Sequence, residues 1–183
     1  MLRLAALVTL LTLVYAPRAH AWTWPVDGPL LRPFSVGSNP YAGGQHRGID
    51  IAAAVGTAVR APRSGAVSFV GTVPNGGRAI TIRTDEGYSV TLLQLGETNV
   101  VRGGVVDEGM ILGSVGSSDD AVTREPHVHL GVRHTSDENG YVDPLTLLPL
   151  REPAPPPAPA AAPAEPAPVA SQPAPPRPPR RPT

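Results

Sequence analysis

The chain has 183 residues, 15 acidic and 15 basic side chains and no cysteine. That length suits one domain with extensions, and the missing cysteines leave no disulfide framework and no route for lipid attachment through an N-terminal cysteine. All 15 basic residues are arginine, scattered rather than gathered into a footprint for nucleic acid, which is excluded as a partner.

Taken in chain order, the first feature is an apolar run of 13 residues, Leu4 to Ala16, preceded by Arg3 and followed by Ala19-His20-Ala21 in the position of a cleavage site. This is the pattern of a secretory signal peptide, and the run falls short of the ~18 apolar residues that a membrane span needs. Residues 1–21 are expected to be removed, leaving an exported protein with no stable membrane anchor. Without Arg3 and Arg18, 13 arginines face 15 acids, a net charge near −2.

Residues 22–151 are of a usual size for one domain. Short segments rich in β-branched residues recur between turn signals: GAVSFVG, then RAITIRT after PNGG, YSVTLLQL after DEG, MILGSVG and HVHLGVR. Glycine stands at almost every break and no long 3.6-residue periodicity appears, so the spacing predicts an all-β domain without a convincing helix. The pair GTAVRAPRSGAVSFVG and VVDEGMILGSVG is also reminiscent of lipoyl and biotinyl carrier domains. Those carriers attach their cofactor to lysine, and this chain has none.

From Glu152 onward the composition changes to a Pro/Ala-rich run, with 14 prolines in the last 32 residues. It lacks the large apolar side chains that offset ordering entropy, so residues 152–183 read as a disordered, solvated spacer. Its arginine-bearing end, RPPRRPT, offers a contact with an anionic surface or with another protein, on a weak electrostatic signal.

Two motifs carry chemistry. In GGQHRGIDIAAAVGT, His46 and Asp50 are four apart, and in EPHVHLGVR, His127 and His129 are two apart. Residues i, i+2 and i+4 share a face in extended chain, so each pair looks toward one side. His46 and Asp50 with His129 or His127 would make two imidazoles and one carboxylate. That donor set leaves a fourth tetrahedral position for water, as in a catalytic zinc site. A structural zinc site needs a fourth protein ligand, and His134, five residues past His129, is expected on the opposite face.

The motifs together resemble the lysostaphin-like (LytM-type) zinc metalloendopeptidases that act on peptidoglycan. The resemblance runs from about Trp24 to Leu148 through WPVDGPLLRPF, HRGIDIAAAVGTAVRAPRSGAV, VDEGMILGSVG, PHVHLGVR and YVDPLTLL. It implies a single compact antiparallel β-sheet domain with one zinc per chain on His46, Asp50 and His129. His127 then lies beside the metal and assists the water or the transition state. The family usually has another histidine in a YxHL-like stretch, where this chain reads TLLQLG with Gln94. A carboxamide donates and accepts hydrogen bonds but carries no proton near neutral pH, so Gln94 is expected to polarise a carbonyl rather than act as a base.

The resemblance implies an exported, cell-wall-associated zinc metalloendopeptidase cleaving stem peptides or cross-bridges of peptidoglycan in wall remodelling. The alternative is a catalytically weakened domain of the same fold that binds wall peptides or regulates another hydrolase.

Overall fold

Valine, isoleucine and threonine lose little rotamer freedom on a pleated surface, and runs of them broken by glycine pair as strands. The computed structural model describes residues 22–39, 42–118, 120 and 122–151. The expected leader and proline-rich tail lie outside them. Among the described residues are ten strands: β1 Leu30–Arg32, β2 Ile49–Ala52, β3 Ala58–Arg60, β4 Gly65–Val73, β5 Gly77–Arg83, β6 Tyr88–Thr98, β7 Val105–Val106, β8 Ile111–Val115, β9 His127–His134 and β10 Tyr141–Val142. One 3₁₀ turn, Pro144–Thr146, follows, capped by the Asp143 side chain on the Leu145 amide. The five segments expected from sequence coincide with β4, β5, β6, β8 and β9 to within a few residues.

Every strand pair is antiparallel, in the order β1-β2-β9-β6-β5-β4-β7. β10 lies on β9, and β8 bridges β3 and β6. The long strand β6 makes this branching possible. Its first part, Tyr88 to Leu93, pairs with β9, while Leu95 and Thr98 pair with β8.

Register decides what the centre of the sheet presents. Ile49 faces Leu130 and Ile51 faces Val128 across β2 and β9, and Leu92 and Val90 continue the row on β6 opposite Leu130 and Val132. These side chains are buried in the core with Val59, Val67, Ile80, Ile82, Leu112 and Val115. Each contributes about 1.5–3 kcal/mol by leaving water. The alternate positions, Asp50 opposite His129 and Ala52 opposite His127, necessarily occupy the other face. A slip of one residue would exchange core and site.

Two local features tune this frame. Between the pairs Ile80↔Leu92 and Arg78↔Leu95 the register shifts by one, so Leu93 and Gln94 together oppose Ala79. This β-bulge holds Gln94 in the left-handed region at φ 64°. The chain ends of the domain are tied together by Arg151, whose guanidinium stacks 3.6 Å from the Trp24 ring centroid and donates to the Val26 and Gly28 carbonyls.

Candidate metal centre

Asp50 sits in the middle of β2, and its backbone pairing with His129 of β9 fixes two of the three donors on one face. His46 is brought in by a bridge outside the named strands, in which it pairs with Ser35. Gly48, between His46 and Asp50, lets the chain pass close over β9. A Cβ there would stand 2.3 Å from the Leu130 carbonyl oxygen and 2.6 Å from His129 Nε2.

His46 Nε2 lies 3.1 Å from Asp50 Oδ1 and 3.1 Å from His129 Nδ1, and His129 Nδ1 lies 2.8 Å from Asp50 Oδ1. A tetrahedral zinc with bonds of about 2.0–2.1 Å separates its ligand atoms by about 3.3 Å. The three donors therefore fit such an ion with adjustments of a few tenths of an ångström. His46 and Asp50 are buried, and His129 keeps 18% of its side chain exposed. That exposure leaves one side of the centre open to an incoming molecule.

The surrounding hydrogen bonds set tautomers and charge. His46 Nδ1 donates to the Pro33 carbonyl at 2.8 Å, which directs Nε2 toward Asp50. Thr123 Oγ1 donates to Asp50 Oδ2 at 3.1 Å. Burial alone would raise the Asp50 carboxyl, but hydrogen bonds and charge from His129 and His46 outweigh it and hold the group well below the usual carboxylate range. Asp50 is thus ready-made as an anionic ligand.

His127 is fully buried on the same face. Its Nδ1 donates to the Glu125 carbonyl at 2.7 Å, and its Nε2, 3.9 Å from Asp50 Oδ1, has no hydrogen-bond partner. A buried lone pair without a donor is costly unless something else uses it.

Gln94 is placed differently. Its Nε2 donates to the Asn75 carbonyl at a long 3.4 Å, and its Oε1 is buried without a partner. It lines a depression of about 280 Å³ with Thr72, Gly77, Arg78, Gly96 and Ser117. Its neighbour Leu93 is the register partner of His129 and lines a separate groove of about 220 Å³ with Arg47, Thr91, His129, Arg133 and Tyr141. His134 stacks on Tyr88 at 5.2 Å, apart from the metal-ligating groups. Sequence spacing does not reveal Thr123, Asp120 or the Pro33 and Glu125 carbonyls, because loops bring them in and no periodicity marks them.

A family model described as Peptidase family M23 matches residues 44–144. The uncharacterised lipoprotein YgeR of Escherichia coli is 33% identical over 132 residues, 71% of this chain and 48% of its own length. The murein hydrolase activator NlpD of Salmonella dublin is 31% identical over 133 residues, 72% of this chain and 32% of its own. Among solved structures, the catalytic domain of the antimicrobial peptidase lysostaphin from Staphylococcus simulans superposes with a TM-score of 0.54 at 30% identity, covering 65% of this chain and 88% of that one. The chain spans less than half the length of these two curated relatives.

Proposed function

Since this chain belongs to peptidase family M23, we propose that it is an exported zinc metalloendopeptidase that cleaves peptide bonds in the stem peptides or cross-bridges of peptidoglycan. The observation that carries the reading is the convergence of His46 Nε2, Asp50 Oδ1 and His129 Nδ1 within 4.8 Å beside the unpartnered Nε2 of His127. The wall as substrate is supported by the company the chain keeps: one relative is a murein hydrolase activator and one neighbour an antimicrobial peptidase. Export rests on the leader.

His46, Asp50 and His129 would hold the ion. Bound there, zinc would supply Lewis acidity toward the scissile carbonyl and a water whose pKa is lowered to about 7. The chain itself does the rest. A peptide laid in the groove beside His129 would meet Thr91, Leu93, Arg47 and Arg133. His127, its tautomer set by the Glu125 carbonyl, accepts the proton of the attacking water on Nε2 and returns it to the leaving amine. Gln94 is assigned a supporting hydrogen bond to the substrate carbonyl, for which its Nε2 must leave the long contact with the Asn75 carbonyl. It takes no proton, so turnover is expected to be slow.

A second reading, in which the domain binds wall peptides or regulates another hydrolase, is favoured by one specific feature: the carboxamide of Gln94 where the family resemblance expects an imidazole. Digestion of purified peptidoglycan with mass analysis of the fragments separates the two. Release of peptide fragments by the parent protein, abolished by chelation and restored by zinc, is the expected result. Turnover only after Gln94→His supports the regulator, and digestion that survives both chelation and His127→Ala contradicts the mechanism.

A further inference from the structure

Asp50 belongs to two groups of metal-ligating side chains. One is the triad with His46 and His129; the other joins Asp50 to His127 and to Asp120, with ligand atoms again within 4.8 Å of one another. Asp120 comes from the loop between β8 and β9, and the first triad has no use for it. Its position is set from several sides. The Val122 amide donates to Asp120 Oδ1 at 2.8 Å, and the Asp120 amide donates to Ser118 Oγ at 3.2 Å. Ser118 Oγ in turn donates to the Thr123 carbonyl at 2.6 Å, and Thr123 holds Asp50 Oδ2.

The independent sign of a ligand is His127. Its ring is 0% exposed, its Nδ1 proton is committed to the Glu125 carbonyl, and its Nε2 lone pair is aimed with no donor toward the side where Asp50 and Asp120 bring two carboxylates. Two carboxylate oxygens, one buried and one half-buried, beside a buried imidazole lone pair attract a cation rather than one another. We propose that Asp50, Asp120 and His127 form a second divalent-cation site, with Asp50 shared between the two ions. One nitrogen and two carboxylates suit a borderline ion such as zinc. Ions that share a site in this way sit about 3.5–4 Å apart. The second ion binds more weakly than the first, because it enters beside an existing positive charge and takes one ligand from a loop. It also occupies the lone pair of His127, so second-site occupancy and proton acceptance by His127 exclude one another. The inference rests on the first triad being a zinc site.

Equilibrium dialysis of the full chain against graded free zinc, with metal counted per chain, tests it. The parent protein is expected to take a first equivalent and, at higher free zinc, a second. Asp120→Asn, which preserves shape, and His127→Ala should each stop at one equivalent or weaken the second at least tenfold, with the first unchanged. Thermal melts of both variants check that they fold, and magnetic coupling between two bound cobalt ions checks that the sites share a ligand. Saturation of the parent protein at one equivalent, or two equivalents in Asp120→Asn with unchanged affinity, overturns the second site while leaving the first. A first equivalent that survives His129→Ala overturns the reading on which both depend.

Discussion

His46 and His129 approach Asp50 through different ring nitrogens, Nε2 and Nδ1, and that difference follows from where each ring is anchored. The Pro33 carbonyl fixes the far nitrogen of His46, whereas His129 stands directly opposite Asp50 in the ladder. His129→Ala should therefore remove the tightly bound zinc, and His127→Ala should keep it, as counted by metal analysis after gel filtration. Ligands bind metal only when deprotonated, and the depressed Asp50 carboxyl stays ionised well into acid. Protons compete with zinc for its ligands, and zinc retention should fall as pH is lowered from neutrality. Equal zinc content at pH 5 and pH 7.5 would contradict this. For Gln94→His the left-handed backbone is no bar, since histidine enters that region more readily than most residues. An added proton carrier is worth about 10² to 10⁴ in rate, so kcat should rise within that range. An unchanged rate would place position 94 outside the reaction. The HxxxD and HxH spacings make the ligands legible in the sequence because strand geometry maps i+2 and i+4 onto one face. Asp120 and Thr123 are not legible, since a loop has no such rule, and neither is the bulge that turns Gln94 away from simple alternation.

At the scale of elements, the pairing of β2 with β9 makes both the core and the centre. Leu130 is buried between Ile49 and Leu92, one residue along from His129. Leu130→Ala should cost about 2–5 kcal/mol in denaturant unfolding. Gly48→Ala is the sharper probe of how the two strands meet. Its Cβ would meet the Leu130 carbonyl and the His129 ring, so it should destabilise the domain by about 1–3 kcal/mol and weaken zinc by about 10- to 100-fold. Normal zinc affinity in a folded Gly48→Ala protein would mean that the close passage of β2 does not position the ligands. The long strands are legible as β-branched runs with turn residues at their ends. β1, β3, β7 and β10 are two or three residues long, too short to show alternation, and owe their pairing to the neighbours they meet.

For the whole molecule, sequence composition separates a domain from a proline-rich extension, and the boundary can be tested because the last described residue, Arg151, has a structural job. It stacks on Trp24 and holds the carbonyls of Val26 and Gly28, in contacts of about 0.5–2 kcal/mol for the cation–π part. Truncation after Arg151 should leave the melting temperature nearly unchanged, because the removed residues are poor in large apolar side chains. Truncation after Leu150 should lower it by a few degrees. A large fall on truncation after Arg151 would show that residues 152–183 stabilise the domain.

The account turns on a metal held by three residues on one face of the sheet, and anomalous diffraction at the zinc edge from zinc-loaded crystals tests it most directly. It predicts a principal peak within about 2.0–2.2 Å of His46 Nε2, Asp50 Oδ1 and His129 Nδ1. A principal peak bound by other residues, or no peak at that triad in crystals grown with zinc, would contradict it.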